Sequence, residues 1–233
     1  MAIRKYFYCS DENNEYVESE AEFTFFPGFA LCQKQKCIES FHQAIQKIHS
    51  NASILEISSK SRQRLGVELS AFNLTLLVNN MYCPIETVFQ SSKVFDTGGP
   101  YIDLLKQPPA EAKKDERLHT DSKLIAFSFQ SVNYPTEPKT AFYDWIYCSA
   151  LYQHKDLAEA IVKYNTFTDI EFNHKKSINC QARSAAIFVS LTRRGILKEA
   201  MQNIDSFIRI VYSRIKDPND GQQISIFTEE HEL

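Results

Sequence analysis

The chain has 233 residues, 43% of them apolar, with 17 Phe, 11 Tyr and one Trp, so it can build a large aromatic core and is not a disordered chain. Twenty-six basic against 29 acidic side chains leave a net charge of −3. That balance argues against a protein that coats nucleic acid, and confines any such substrate to a local patch. With six Gly and neither a G-x-G-x-x-G nor a Walker sequence, the common nucleotide-dependent folds lose their support.

In chain order, residues 9–22 are polar and acidic and read as a loop, making 1–22 a polar N-terminal segment. Phe23-Thr24-Phe25-Phe26 is strand-like and stops at Pro27-Gly28. From Lys36, Ile38, Phe41, Ile45 and Ile48 recur at intervals of three and four, one face of an amphipathic helix. Residues 54–57 form a short strand candidate, followed by a charged turn over 58–64. Residues 69–78 are apolar and β-leaning, and Asn79-Asn80 marks a turn. Pro84 suits a first helical position, with Ile85, Val88, Phe89 and Ser92 on one face behind it. The charged run 111–117 reads as a solvated helix face. A strand is expected over 124–129, a long helix from Pro138 and another over 179–194, capped by Gly195. A last helix covers 196–215, and the tail from 217 is frayed. The sum is one helix-dominated α+β domain over 23–216 with a few short strands.

The six cysteines are scattered with no C-x-x-C pair, and the six His sit singly. Neither a disulfide framework nor a metal site is expected, and no cofactor. No run of about 18 apolar residues spans a membrane, and no apolar run follows the two basic residues of the N-terminus. A reduced protein of cytoplasmic type is the expectation.

Candidate chemistry begins with charges set beside apolar runs, which need a partner or a task. Glu86 follows Ile85 and precedes Val88-Phe89. It reads either as an acidic residue favoured by a helix dipole or as a poised carboxylate. Asn73 is polar in an apolar segment and suits a turn or an edge strand. Trp145 suits the core or a stacking platform, and Lys175-Lys176 reads as surface charge. Pattern alone names no function.

Three segments, Ile54-Leu55-Glu56-Ile57-Ser58-Ser59-Lys60-Ser61, Leu69-Ser70-Ala71-Phe72-Asn73-Leu74 and Glu86-Thr87-Val88-Phe89-Gln90-Ser91-Ser92-Lys93-Val94-Phe95, together resemble the NADAR (YbiA-like) family. Glu111-Ala112-Lys113-Lys114 resembles its E-A-[KR] helix, and the 151–157 stretch its K-F-x-Q-x-x-x-L motif. Phe26-Pro27-Gly28-Phe29, Phe142-Tyr143-Asp144-Trp145 and the stretches 167–173 and 177–182 are similar to the branch of NADAR antitoxins paired with DarT-type toxins. Two motifs depart from the family. Its S-N-F signature is Ser70-Ala71-Phe72 here, with Asn73 as the substitute, and Asn173-His174-Lys175-Lys176 replaces its Asp before W-G, leaving Asp169 nearby.

The resemblance implies the NADAR fold and an N-glycosidase that removes ADP-ribose from guanine bases in DNA. The chain would then act as antitoxin to a DarT-type toxin. It leaves two alternatives: neutralisation of the toxin by direct binding, or cleavage of riboflavin-pathway intermediates. It also implies the site. Glu86 is the catalytic carboxylate and Lys60 the lysine nucleophile. Lys36 and Lys93 are second choices, and Lys93 also suits the diphosphate or a pairing with Glu86 on the same helix. Ser70, Phe72, Asn73, Phe89, Gln90, Trp145 and Asp169 complete the substrate-binding set.

Overall fold

A computed structural model describes residues 1–173 and 177–212. The main sheet has the order β2-β1-β9-β3, built from β1 (Ala2–Cys9), β2 (Tyr16–Phe23), β3 (Ile54–Glu56) and β9 (Thr166–Thr168). β1 and β2 pair antiparallel along their whole length, from Ala2 opposite Phe23 to Cys9 opposite Tyr16. β1 also runs antiparallel to β9, which runs parallel to β3. Thus most of residues 1–22 is strand of the main sheet, and within the stretch 9–22 read as a loop only 10–15 form the turn. In β2 Val17, Ser19, Ala21 and Phe23 alternate with Glu18, Glu20 and Glu22, a period of two that puts the glutamates on one face. The strand expected over 23–26 contributes only its first residue.

Side chains of β1 alternate between two cores. Tyr6 packs with Phe23, Phe41 and Ile45 under α1 (Leu31–Ile48), while Phe7 and Cys9 join the larger core on the other face. α1 begins five residues before Lys36, and its buried stripe is Cys37, Ile38, Phe41 and Ile45, with Ile48 exposed. The larger core is built on two central helices, α5 (Ala141–Gln153) and α7 (Gln181–Arg193), almost entirely buried along their lengths.

Shorter elements frame the cleft. The segment read as a strand over 69–78 divides: α2 (Arg64–Glu68) is followed by a tight turn through Ser70 to Asn73, and only Thr75–Val78 forms a strand, β4. Gly66 is needed here, because a Cβ would come within 2.0 Å of the Glu56 carbonyl oxygen. β4 pairs with β5 (Met81–Pro84) through Asn79 and Asn80, at φ 48° and 63°, the left-handed pair that a tight hairpin requires. Pro84 closes β5 and caps α3 (Ile85–Ser91), every residue of which is buried. Lys93 therefore lies beyond that helix, opening β6 (Lys93–Phe95). β6 pairs with β7 (Leu124–Phe129), and β7 with β8 (Val132–Tyr134). Residues 111–117 are shared between α4 (Pro109–Ala112) and a 3-10 turn over Glu116–Leu118.

α6 (Lys155–Ile161) follows α5 closely. α7 starts two residues later than expected and ends at Gly195, whose φ of 69° is the left-handed cap. The long last helix is two pieces, α8 (Leu197–Ala200) and α9 (Ile204–Tyr212). Residues 213–215 of that stretch, the tail from 217 and Lys175-Lys176 lie outside the described residues. One buried clasp joins four elements. The Arg183 guanidinium on α7 pairs with Asp144 on α5, and its centre lies 5.6 Å from the Tyr16 ring of β2 and 5.3 Å from that of Tyr212 on α9. Ser184 and Tyr212 also donate to the Asp144 carboxylate. No helix among the described residues is long and apolar enough to cross a membrane.

Candidate active-site cleft

Four chain segments converge on a cavity of about 370 Å³, lined by Lys60, Ser70, Phe72, Glu86 and Asp169. Each is delivered by a local constraint. The Lys60 loop leaves β3 with its backbone held at two points: Lys60 N–H donates to Ser58 Oγ (3.1 Å), and Ser61 N–H to the Ser58 carbonyl (3.1 Å). The turn bearing Ser70 and Phe72 is clamped through Ala71, whose carbonyl accepts from Glu86 N–H at 2.9 Å. Its own N–H donates to Gln181 Oε1 at 2.7 Å, and Gln181 Nε2 in turn donates to the Ile57 carbonyl at 2.6 Å. One glutamine thus fixes the spacing between the lysine loop and the Phe72 turn.

Glu86 occupies the second position of α3 and is 7% exposed. Its Oε1 accepts from Gln90 Nε2 at 2.9 Å, one helical turn away, and lies 3.3 Å from Lys113 Nζ. Lys113 also sits over the ring of Phe72, which is 39% exposed at the rim. A carboxylate so buried needs compensation, and these two donors provide it. Two further acceptors, Gln90 Oε1 and Asn179 Oδ1, are buried without a partner among the described residues.

Asp169 follows β9 and is buried beside Glu56 of β3. Glu56 accepts from Thr168 Oγ1 (2.6 Å), Ser58 Oγ (2.7 Å) and Ile170 N–H (2.9 Å). Asp169 Oδ1 accepts from the backbone N–H groups of Glu171 and Phe172, at 3.0 and 3.2 Å, and the Gln181 side chain also bonds to its carboxyl. Burial first, and the neighbouring Glu56 second, push the Asp169 carboxyl well above the usual carboxylate range. The Glu56 carboxyl is also raised by burial, against the pull of its three donors. Of the two, Asp169 is the one that borders the cavity.

Phe89, Gln90 and Lys93 lie around the corner, in an adjoining trough that also reaches Glu86. The Lys93 ammonium stands 5.0 Å from the centre of the Phe89 ring. Desolvation lowers its pKa, opposed by Glu86 and assisted by Lys113.

Three expected residues are not brought to the cleft. Asn73 turns away, donating to the Val67 carbonyl (2.8 Å) and Ser70 Oγ (3.0 Å), and so holds the turn in shape. Trp145 packs edge-on against Phe207 between α5 and α9. Lys36 is exposed on α1; the α1 lysine that reaches toward the site is Lys34, 3.0 Å from Glu171. The pairing of Glu86 with Lys93 on one helix is replaced by its pairing with Lys113, because α3 stops at Ser91.

Sequence reasoning did not select Lys113, Tyr143 or Gln181. All three lie inside the quoted motifs, and the E-A-K motif was the available signal for Lys113. Tyr143 lines the cavity two residues before Trp145; its buried phenol is held well above its ordinary pKa by burial first and then by Glu86, so it stays neutral. No group of three or more His, Cys, Asp or Glu placed to hold a metal ion exists among the described residues.

The chain is a single α+β domain with a buried glutamate, a lysine and a buried aspartate around one cleft. The chain matches the family model described as DarT1-associated NADAR antitoxin over residues 2–220, and it belongs to that family. A comparison with curated proteins finds no match.

Proposed function

We propose that the chain is an N-glycosidase that releases ADP-ribose from guanine bases in DNA, and thereby serves as antitoxin to a DarT-type toxin. The observation that carries this reading is that Glu86 and Lys60 line one cavity with Asp169 and a half-exposed aromatic, Phe72.

The chemistry follows from the bond to be broken. As the C–N bond at the anomeric carbon lengthens, positive charge gathers on the ribose, and the Glu86 carboxylate stabilises it. In the ring-opened form the Lys60 amine adds to the anomeric carbon. The guanine amine leaves with a proton, and a Schiff base remains. Water then adds to that carbon, the lysine departs and the ribose ring closes, so the sum is one water consumed and one C–N bond exchanged for C–O. Asp169, whose carboxyl burial pushes well above the usual carboxylate range, is the source of the leaving amine's proton in this reading. Ribose hydroxyls match the two unpartnered acceptors, Gln90 Oε1 and Asn179 Oδ1. Phe72 provides a face on which a base can stack.

The test is release of ADP-ribose from a guanine-modified DNA oligonucleotide by the purified chain with no toxin present. Release supports the glycosidase. No release, with the chain binding and inhibiting its toxin instead, would identify an antitoxin that works by contact.

A further inference from the structure

The inner cavity opens into a larger trough of about 870 Å³, and the two share Glu86, Lys113, Tyr143, Ser177 and Asn179. The trough's walls carry Lys93, Lys113, Lys123, Lys139 and His119, opposed only by Glu86 and Glu137 among its described lining. These residues come from separate segments: Lys93 opens β6, Lys113 and His119 end short helical turns, and Lys123 and Lys139 stand just ahead of β7 and α5. Lys113 is paired with Glu86, whereas no carboxylate among the described residues pairs with Lys93, Lys123 or Lys139. In a chain of net charge −3, this concentration of unpaired ammonium groups runs against the overall balance.

Resting on the function proposed above, we infer that the trough is a phosphate track that holds the phosphodiester backbone of the strand carrying the modified guanine. A lysine is a flexible point charge suited to phosphate oxygens. Chemistry on a base requires that base to be taken out of the stack, which brings its flanking phosphates to the mouth of the inner cavity. Lys93, Lys123 and Lys139 line the next surface the strand meets. The diphosphate of ADP-ribose offers the same chemistry, but it carries two phosphates, and four lysines exceed its need. The strand is therefore the occupant that uses them all.

The test is the double variant Lys123→Ala, Lys139→Ala, which leaves Glu86, Lys60 and Lys113 in place. Two substrates are compared: an ADP-ribosylated guanosine nucleoside and a single-stranded oligonucleotide bearing the same modified base. The KM for the oligonucleotide should rise about tenfold with kcat retained, while the nucleoside KM stays put. For an unmodified oligonucleotide, the slope of log binding constant against log salt should flatten by about 1.4, at roughly 0.7 per lost phosphate contact on a single strand. Equal weakening of both substrates would assign these lysines to the diphosphate and overturn the strand track, as would no change in either. If the wild type releases no ADP-ribose from either substrate, the glycosidase reading fails, and the salt slope of the unmodified strand still decides the track by itself.

Discussion

Lys113 Nζ lies 3.3 Å from Glu86 Oε1 and 5.7 Å from the centre of the Phe72 ring. One half-exposed ammonium thus joins the carboxylate of α3 to the aromatic at the cleft rim. Substitution to alanine should cost about 1–3 kcal/mol of stability, because the buried Glu86 carboxylate loses one of its two donors. It should also lower kcat/KM about tenfold, since Glu86 and Phe72 lose a shared anchor. In a Glu86→Gln background the same change should add almost nothing, because coupled residues do not give additive losses. A full tenfold loss in that background would mean Lys113 acts apart from Glu86.

Borohydride added during turnover reports the nucleophile. Lys60 and Lys93 each line a cavity that reaches Glu86, whereas Lys36 lies exposed on α1. Covalent trapping of ADP-ribose is expected on the wild type, and on Lys36→Ala at the same yield, but not on Lys60→Ala. Trapping that survives in Lys60→Ala and vanishes in Lys93→Ala would move the role to the desolvated lysine. Absence of trapping throughout would leave water as the nucleophile.

The Glu56–Asp169 pair predicts an inverted pH response. Its folded pKa values are raised, by burial first. A carboxyl of that kind gives stability that is complete below the unfolded pKa, near 4, and is lost as pH rises through the folded value. Asp169→Asn removes that loss. Relative to wild type, its stability should therefore improve from pH 4 to pH 8, by at most about 1.4 kcal/mol per pH unit within the titration window, and its Tm should rise with it. Thermal scans across that range check it, and a difference that shrinks with rising pH would contradict the buried protonated pair. The variant should lose activity throughout.

The Arg183–Asp144 clasp is buried, so breaking it on one side strands a charge. Asp144→Ala should destabilise by about 3–5 kcal/mol, a Tm loss of roughly 6–20 °C for a domain of this size. Adding Arg183→Met should recover part of it. A Tm loss of only a degree or two for Asp144→Ala would deny the clasp its structural weight.

Local rules located α1, β3, the Asn79-Asn80 hairpin, α3, β7 and α7, because each carries its own periodicity or turn chemistry. β2 escaped because its glutamates dominate the composition, although Val17, Ser19, Ala21 and Phe23 alternate beneath them. β9 is three residues long and is defined by its neighbours β1 and β3, which no local pattern reveals. In the site, Glu86, Lys60, Ser70, Phe72 and Asp169 were legible through motif resemblance and meet around one cavity. Trp145 and Asn73 also lie in motif-like segments, but packing sends them elsewhere: Trp145 lies against Phe207, and Asn73 bonds back into its own turn. Lys113 and Gln181 act by bridging segments distant in sequence, so their importance depends on a tertiary arrangement that spacing does not encode.

The most direct measurement is the rate of ADP-ribose release from guanine-modified DNA by wild type and Glu86→Gln, with folding checked by thermal scan. Glutamine keeps the shape and most of the hydrogen bonding of Glu86 but removes its charge. The variant should fold normally and still bind ADP-ribose, while its rate falls by about 10²–10⁴, the scale of a positioned acid–base group. A well-folded Glu86→Gln that turns over as fast as wild type would contradict the catalytic assignment of this cleft.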